Sequence, residues 1–375
     1  MTPVIQTLAD LVRINSVNSS YDGGPGEREV ATYVHQFFQQ RGIEVWEQEV
    51  FPGRPNVLAR LPGKNPHRRL VLEAHTDTVS VQGMTIPPFD PVIREGRMYG
   101  RGSCDTKAGL ATMMHALASL KEEGITPPCE ILLAAVVDEE YSYRGVVKLC
   151  EDLKADAAIV AEPTELRAII ATKGVLRCRI LVHGRAAHSS KPHLGINAIT
   201  GMARVIAAIE ADNARLATLR HPLAGEGTCN IGVIHGGVQV NFVPDRCAIE
   251  IDRRLLPGER AEDAVRQYQA LLASIPGLQA EVEFPLLLVD EGLDTPAQAD
   301  VVHTASQVLT ELGLDPAPGG VPFGCDASKL SRAGIPSIVF GPGSIDRAHT
   351  VDESIELHQV QLAYEFQRRF LLSFT

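Results

Sequence analysis

Hydrophobic and polar positions follow two rhythms along this chain. Apolar residues recur at helical spacing over 2–14 and 27–40, as in helices with one buried face. The Gly/Pro-rich run Asp22-Gly23-Gly24-Pro25-Gly26 separates the two. Residues 43–50 alternate like a strand, and 57–61 and 70–74 are further apolar strands. Residues 91–99 read as a hairpin with Glu95-Gly96 at its middle. A helix is predicted over 106–123, closed by Gly124. A strand over 130–137, a helix over 145–153 and a strand over 157–161 follow. Strands alternating with helices predict a mostly parallel, doubly wound α/β sheet.

The pattern changes near Gly174. A strand over 175–182, a long helix over 196–219, strands over 228–234 and 247–252, a helix over 259–273 and a strand over 278–284 succeed one another. That β-α-β-β-α-β order is ferredoxin-like and returns both ends to one place. A helix over 296–312, a strand over 335–340 and a helix over 355–372 then resume the first pattern. The expected organisation is therefore a discontinuous α/β domain, 1–174 and 291–375, interrupted by an α+β domain at 175–290.

Length agrees with two domains, since 375 residues exceed one ordinary core. A net charge of −11 argues against a nucleic-acid partner and against anionic membranes. The N-terminal residues lack a basic region followed by an apolar one, and no apolar stretch is long enough to span a bilayer. The seven cysteines are scattered and never form a CxxC, which fits reduced thiols in a cytoplasm and disfavours a cysteine zinc site.

The chemistry gathers at the ends of elements. The run Leu70-Val71-Leu72 suits a strand buried on both faces, and it leads into His75-Thr76-Asp77. Side chains two apart on a strand point the same way. An imidazole and a carboxylate thus emerge together at the strand's end, where α/β sheets bind ligands. A neutral imidazole binds metals, and a nearby carboxylate fixes its tautomer. Four further clusters sit at strand ends or loops: Gly102-Ser103-Cys104-Asp105-Thr106-Lys107-Ala108-Gly109, Asp138-Glu139-Glu140, Ala161-Glu162-Pro163-Thr164 and Asp346-Arg347-Ala348-His349-Thr350-Val351-Asp352-Glu353. Each alone has an ordinary explanation. Asp105 fits a helix N-cap, Glu139-Glu140 a solvated turn, Glu162 a loop and His349 a surface histidine. Together they form a set of imidazole and oxygen donors suited to Zn²⁺, Co²⁺ or Mn²⁺. Two divalent ions about 3.5–4 Å apart need a bridging carboxylate and terminal ligands on both sides. This set supplies them and leaves a carboxylate to act as base.

These motifs, H-x-D, G-R-G-x-x-D-x-K-x-G, D-E-E, A-E-P-T and A-H-T-x-D-E, resemble in kind and order those of the M20 family of metallopeptidases and aminoacylases. That group includes acetylornithine deacetylase, succinyl-diaminopimelate desuccinylase, aminoacylase-1, glutamate carboxypeptidases and dipeptidases. The resemblance implies a zinc-peptidase-like catalytic domain and a ferredoxin-like lid and dimerisation domain. It implies two divalent ions, Zn²⁺ foremost, with His75 and Glu162 on one, Glu140 and His349 on the other, and Asp105 between them. It makes Asp77 the orienter of His75, and Glu139 the base that activates water.

In the inserted domain, His188 of Gly184-Arg185-Ala186-Ala187-His188-Ser189 matches the family histidine that steadies the tetrahedral intermediate, often from the partner of a dimer. Asn241 and Arg254 match the grip on a substrate carboxylate. Alternation sends Arg253 and Arg254 to opposite strand faces, and the D-x-R pattern selects Arg254. Gly324 and Cys325 match a substrate-side loop in which many relatives carry Thr or Ser at the cysteine. Lys173 stands where desuccinylases carry arginine, and Gly341-Pro342-Gly343-Ser344 resembles acetylornithine deacetylases. Cys104 is read as core. The implied protein is a cytoplasmic homodimeric hydrolase of small N-acyl amino acids with a free carboxylate. The alternatives are a dipeptidase or glutamate-type carboxypeptidase, and a non-catalytic binding homologue.

Overall fold

The computed structural model describes every residue, Met1–Thr375. The chain forms two compact units. One comprises Met1–Ile170, Thr295–Gly319 and Cys325–Thr375, the other Ala171–Asp294 and Gly320–Gly324.

The larger unit is built on an eight-stranded sheet. Its order is Glu44–Phe51, Arg54–Leu61, Cys129–Val136, Asn65–His75, Ala157–Val160, Ser337–Val339, Ile169–Thr172 and Gly319–Val321. The strands from Cys129–Val136 to Ser337–Val339 run parallel. Glu44–Phe51, Arg54–Leu61 and Ile169–Thr172 pair antiparallel. The sheet is therefore mixed, not mostly parallel as the alternation of elements predicts. The physical reason is local. Pro52-Gly53 alone joins the first two strands, with Gly53 at φ +76, and so short a connection closes only an antiparallel hairpin.

Cys129–Val136 and Ala157–Val160 are buried at every position, because helices cover both faces. Pro3–Arg13, Arg28–Gln39, Lys107–Glu122, Asp300–Glu311 and Leu357–Ser373 share one apolar core, including Leu72, Ile131, Met113 and Phe366. Arg144–Cys150 and Ala327–Arg332 pack on the sheet and on each other. The last helix starts later than its apolar pattern because Ser354–Glu356 pairs with Arg97–Tyr99 instead.

The smaller unit has the sheet order Thr228–Gly236, Arg246–Leu255, Gly174–His183, Gln279–Val282, all antiparallel. With Ala198–Leu216 and Ala261–Ala273 this is the ferredoxin-like arrangement. The helices bury Leu176, Cys178, Ile180, Ile249 and Ile251. The alternate positions carry ion pairs, Arg177–Asp252, Arg179–Glu250 and Arg246–Glu283.

Candidate metal centre

Four neighbouring parallel strands set up the site. Cys129–Val136 runs into Asp138-Glu139-Glu140, Asn65–His75 ends on His75, Ala157–Val160 runs into Glu162, and Ser337–Val339 leads through Gly341 to His349. Their register aligns His75 with Val136, and Glu73 with Val160. The carboxyl ends therefore deliver these groups side by side. The fifth component, Asp105, precedes the helix Lys107–Glu122. Thr106 occupies the N-cap and makes no capping bond, so the Asp105 side chain is left to face the histidines.

Its two oxygens face different rings. Asp105 Oδ1 lies 3.0 Å from His75 Nε2, and Oδ2 lies 3.2 Å from His349 Nε2. Glu162 Oε1 is 3.9 Å from His75 Nε2, and Glu140 Oε1 is 3.0 Å from His349 Nε2. Two donor groups result, His75–Asp105–Glu162 and Asp105–Glu140–His349, each with its ligand atoms within 4.8 Å of one another. Donors about 2.0–2.2 Å from one tetrahedral ion lie about 3.4 Å apart. The observed 3.0 to 3.9 Å brackets that edge, so these residues fit a pair of divalent ions, with nitrogen and oxygen donors only.

Glu139 belongs to neither group. It is 9 % exposed, and the charges of His75, Glu140 and Asp105 act on its carboxyl. Asp77 lies behind the cluster. Its Oδ1 is 3.5 Å from His75 Nδ1 and accepts from the Glu139 N–H at 3.1 Å. Its Oδ2 accepts from Asn18 Nδ2 at 2.8 Å and the Glu140 N–H at 3.1 Å. His75 Nδ1 meets the Asp77 backbone carbonyl at 3.0 Å, so Asp77 fixes the ring through its main chain and the turn bearing Glu139 and Glu140 through its carboxylate. Asp138, at φ +69, is held in its left-handed conformation by Asn18, Arg54 and Ser142.

Protonation reflects crowding of like charges. Burial pushes Glu139 and Glu162 well above the carboxylate range, and Asp105 adds to this. Burial and Asp105 push Glu140 to about 7. Burial opposes charge on His75, but hydrogen bonds to Asp105 and Asp77 outweigh it and hold the ring well above the usual value. The same balance, with Asp105 and Glu140, takes His349 to about 11. Burial also opposes charge on Asp105, yet the two histidines hold it far below its usual value. Protons here occupy the places where cations are better partners.

Cys325 is buried near this cluster, its thiol raised by burial and then by Glu162. Cys104 is buried in the core. Gly324 lies in the smaller unit, where a Cβ would meet Asp290 Oδ2 at 2.9 Å. Within that unit His188 and Asn241 are neighbours. His188 pairs with Phe242, and the Ser189 N–H donates to the Asn241 carbonyl at 3.1 Å. Both are exposed. Arg254 is not with them. His188 follows the end of the strand pair where His183 meets Arg246, whereas Arg254 pairs with Val175 at the other end. Eight residues of strand, about 26 Å at about 3.3 Å each, separate the two ends. Arg253 is buried and donates to Glu259, while Arg254 pairs with Asp252 on the charged face.

Sequence reasoning gave no role to Asn18, Tyr21 or Glu353. Tyr21 donates to the Glu140 carbonyl at 2.9 Å. Glu353 stood inside a quoted motif, so its signal was present. Asn18 and Tyr21 belong to no motif.

A mixed α/β sheet with imidazoles and carboxylates meeting at the ends of its parallel strands makes a site suited to divalent ions, and the family this chain matches makes it a metal-dependent hydrolase of amide bonds. The sequence profile of Peptidase family M20/M25/M40 matches residues 71–373, and the chain belongs to that family. Over 340 residues it is 32% identical to an acetylornithine deacetylase of Myxococcus xanthus, covering 87% of this chain and 83% of that one. It is 27% identical to an N-formyl-4-amino-5-aminomethyl-2-methylpyrimidine deformylase of Halalkalibacterium halodurans, with 88% and 84% covered. Its fold is similar to that of the aminopeptidase PepT of Bacillus cereus, with a TM-score of 0.80, 24% identity and 98% and 97% of the chains covered.

Proposed function

We propose that this enzyme hydrolyses the amide of a small N-acyl amino acid bearing a free carboxylate, in a deacetylase- or desuccinylase-like reaction. His75 and Glu162 would hold one divalent ion, Glu140 and His349 the other, and Asp105 would bridge them. Zn²⁺ suits the donors best, with Co²⁺ or Mn²⁺ as substitutes. The observation that carries the reading is the placement of Asp105, one oxygen towards each imidazole.

Bound there, the ions supply a lower pKa for water and polarisation of the carbonyl. Glu139, outside both donor groups, takes the proton from the attacking water and delivers it to the leaving amine. Asp77 keeps the His75 ring and the Glu139 backbone in place. His188 donates to the developing oxyanion, an interaction commonly worth about 2.7–4 kcal/mol. Arg254 and Asn241 hold the substrate carboxylate, arginine through its planar fork, and Gly324 and Cys325 line the acyl side.

The smaller unit taken alone favours a homodimer. Arg254 lies at one end of the strand pair and His188 follows the other, about 26 Å away along the strands, a span that does not suit one small substrate. A second copy supplying His188 and Asn241 resolves this. The unpaired edge strand Thr228–Gly236 and the exposed Val238, Val240 and Phe242 are the surface offered. No helix is long and apolar enough to cross a membrane. A cytoplasmic location fits the seven unpaired cysteines, six of them buried.

The deciding assay presents N-acetyl, N-formyl and N-succinyl amino acids beside dipeptides and C-terminal glutamyl peptides. The chelated protein is compared with protein resupplied with Zn²⁺, Co²⁺ or Mn²⁺. Metal-dependent release of acyl groups is expected, and cleavage of peptides alone would overturn the acyl-substrate reading.

A further inference from the structure

We propose that Glu353 is a positioning residue that locks the Asp105 loop to the His349 loop, so that both donor groups assemble together. It has no part in the chemistry described above. The inference rests on the metal-site reading, since it concerns how those ligands are placed.

Glu353 is wholly buried, four residues beyond His349. Its Oε2 accepts from Arg101 Nη1 at 2.7 Å and the Gly102 N–H at 3.1 Å. Its Oε1 accepts from the Cys104 N–H at 2.9 Å and the Asp105 N–H at 3.1 Å. Each oxygen therefore takes two donors, and the loop from Arg101 to Asp105 is wound around one carboxylate. Few side chains could replace it. An amide of the same shape would set its NH₂ against two N–H groups whichever way it turned. Buried donors left without acceptors are costly, and the loop would rearrange to find them.

The consequence is specific to Asp105 because both donor groups use that residue. The clamp fixes its backbone N–H while its side-chain oxygens face His75 and His349. It also ties the start of that loop to the segment bearing His349. Partners behind metal ligands are commonly worth about 10–100-fold in affinity.

The test is a metal titration of chelated protein, with Co²⁺ absorption and Zn²⁺ competition as readouts. Wild type is expected to bind two ions. E353Q is expected to bind about 10–100-fold more weakly at both sites, and R101M, which removes one donor of the four, to show a smaller loss. E130Q is the control. Glu130 is also buried and pairs with Arg60 and Arg69, so this variant should lose stability yet keep wild-type affinity. If E353Q fails to fold, R101M carries the comparison. E353Q or R101M with wild-type affinity at both sites overturns the inference, as does an equal loss in E130Q. A wild-type protein that binds no divalent ion overturns the site reading, and this inference with it.

Discussion

At the scale of single residues, the site separates carboxylates by what surrounds them. Asp105, Glu140 and Glu162 face imidazoles, Asp77 accepts from Asn18 and from two backbone N–H groups, and Glu139 belongs to neither donor group. Glu139→Gln is expected to lower kcat by about 10²–10⁴-fold with two ions still bound per chain, measured by metal analysis of the purified variant. Loss of the ions along with activity would make Glu139 a ligand and not a base. The residues of this cluster were legible in sequence because each lies inside a recognisable motif at the end of an element or in a loop. Asn18 was not, because its contact with Asp77 spans 59 residues and no local pattern announces it. The N-cap reading of Asp105 competed with the ligand reading for a similar reason. Both put Asp just before a helix, and only the tertiary position of the histidines decides between them.

At the scale of elements, strand alternation proved more informative than composition. The pair Arg253-Arg254 divides as period two requires. The buried Arg253 serves Glu259 against the helices, and Arg254 remains on the charged face. Arg253→Met is expected to destabilise the protein by about 1–3 kcal/mol by removing the buried charged donor to Glu259 Oε1, leaving that carboxylate only the Leu256 N–H. The readout is urea unfolding, and substrate KM should stay near the wild-type value. Arg254→Gln is expected to do the reverse, raising KM for carboxylate-bearing substrates without a shift in the urea midpoint. Exchange of the two outcomes would reverse the assignment. Connection geometry was harder to read. The alternation of strands and helices announced parallel pairing, but Pro52-Gly53 turns the chain straight back and makes the first two strands a hairpin. Ile169–Thr172 and Gly319–Val321 are too short to give a period at all.

At the scale of the whole molecule, a sheet that gathers carboxylates into a buried space makes stability depend on pH and on cations together. Glu140 is pushed to about 7, and Glu139 and Glu162 are raised too, by burial first and then by neighbouring carboxylates, Asp105 acting on all three and Asp326 on Glu139. A carboxyl with a raised folded pKa binds more protons when native. Its contribution is full below the unfolded value of about 4.5 and is lost as pH climbs through the folded one. The raised His75 and His349, the latter at about 11, act in the same direction above the ordinary histidine value. Asp105 runs the other way, but its contribution is lost only in strong acid. Chelated protein should therefore lose thermal stability steadily from about pH 5 to 8. Divalent ions bind the folded state only and displace protons from these ligands, so they stabilise more as pH rises. The general repulsion of a chain at net charge −11 is common to both forms, which makes the difference between them the quantity to read. The gap in Tm between metal-loaded and chelated protein is expected to widen from pH 5 to 8. A gap that stays constant or narrows would mean that the cluster gives up no protons to metal, and that its carboxylates are stabilised by something other than a pair of cations.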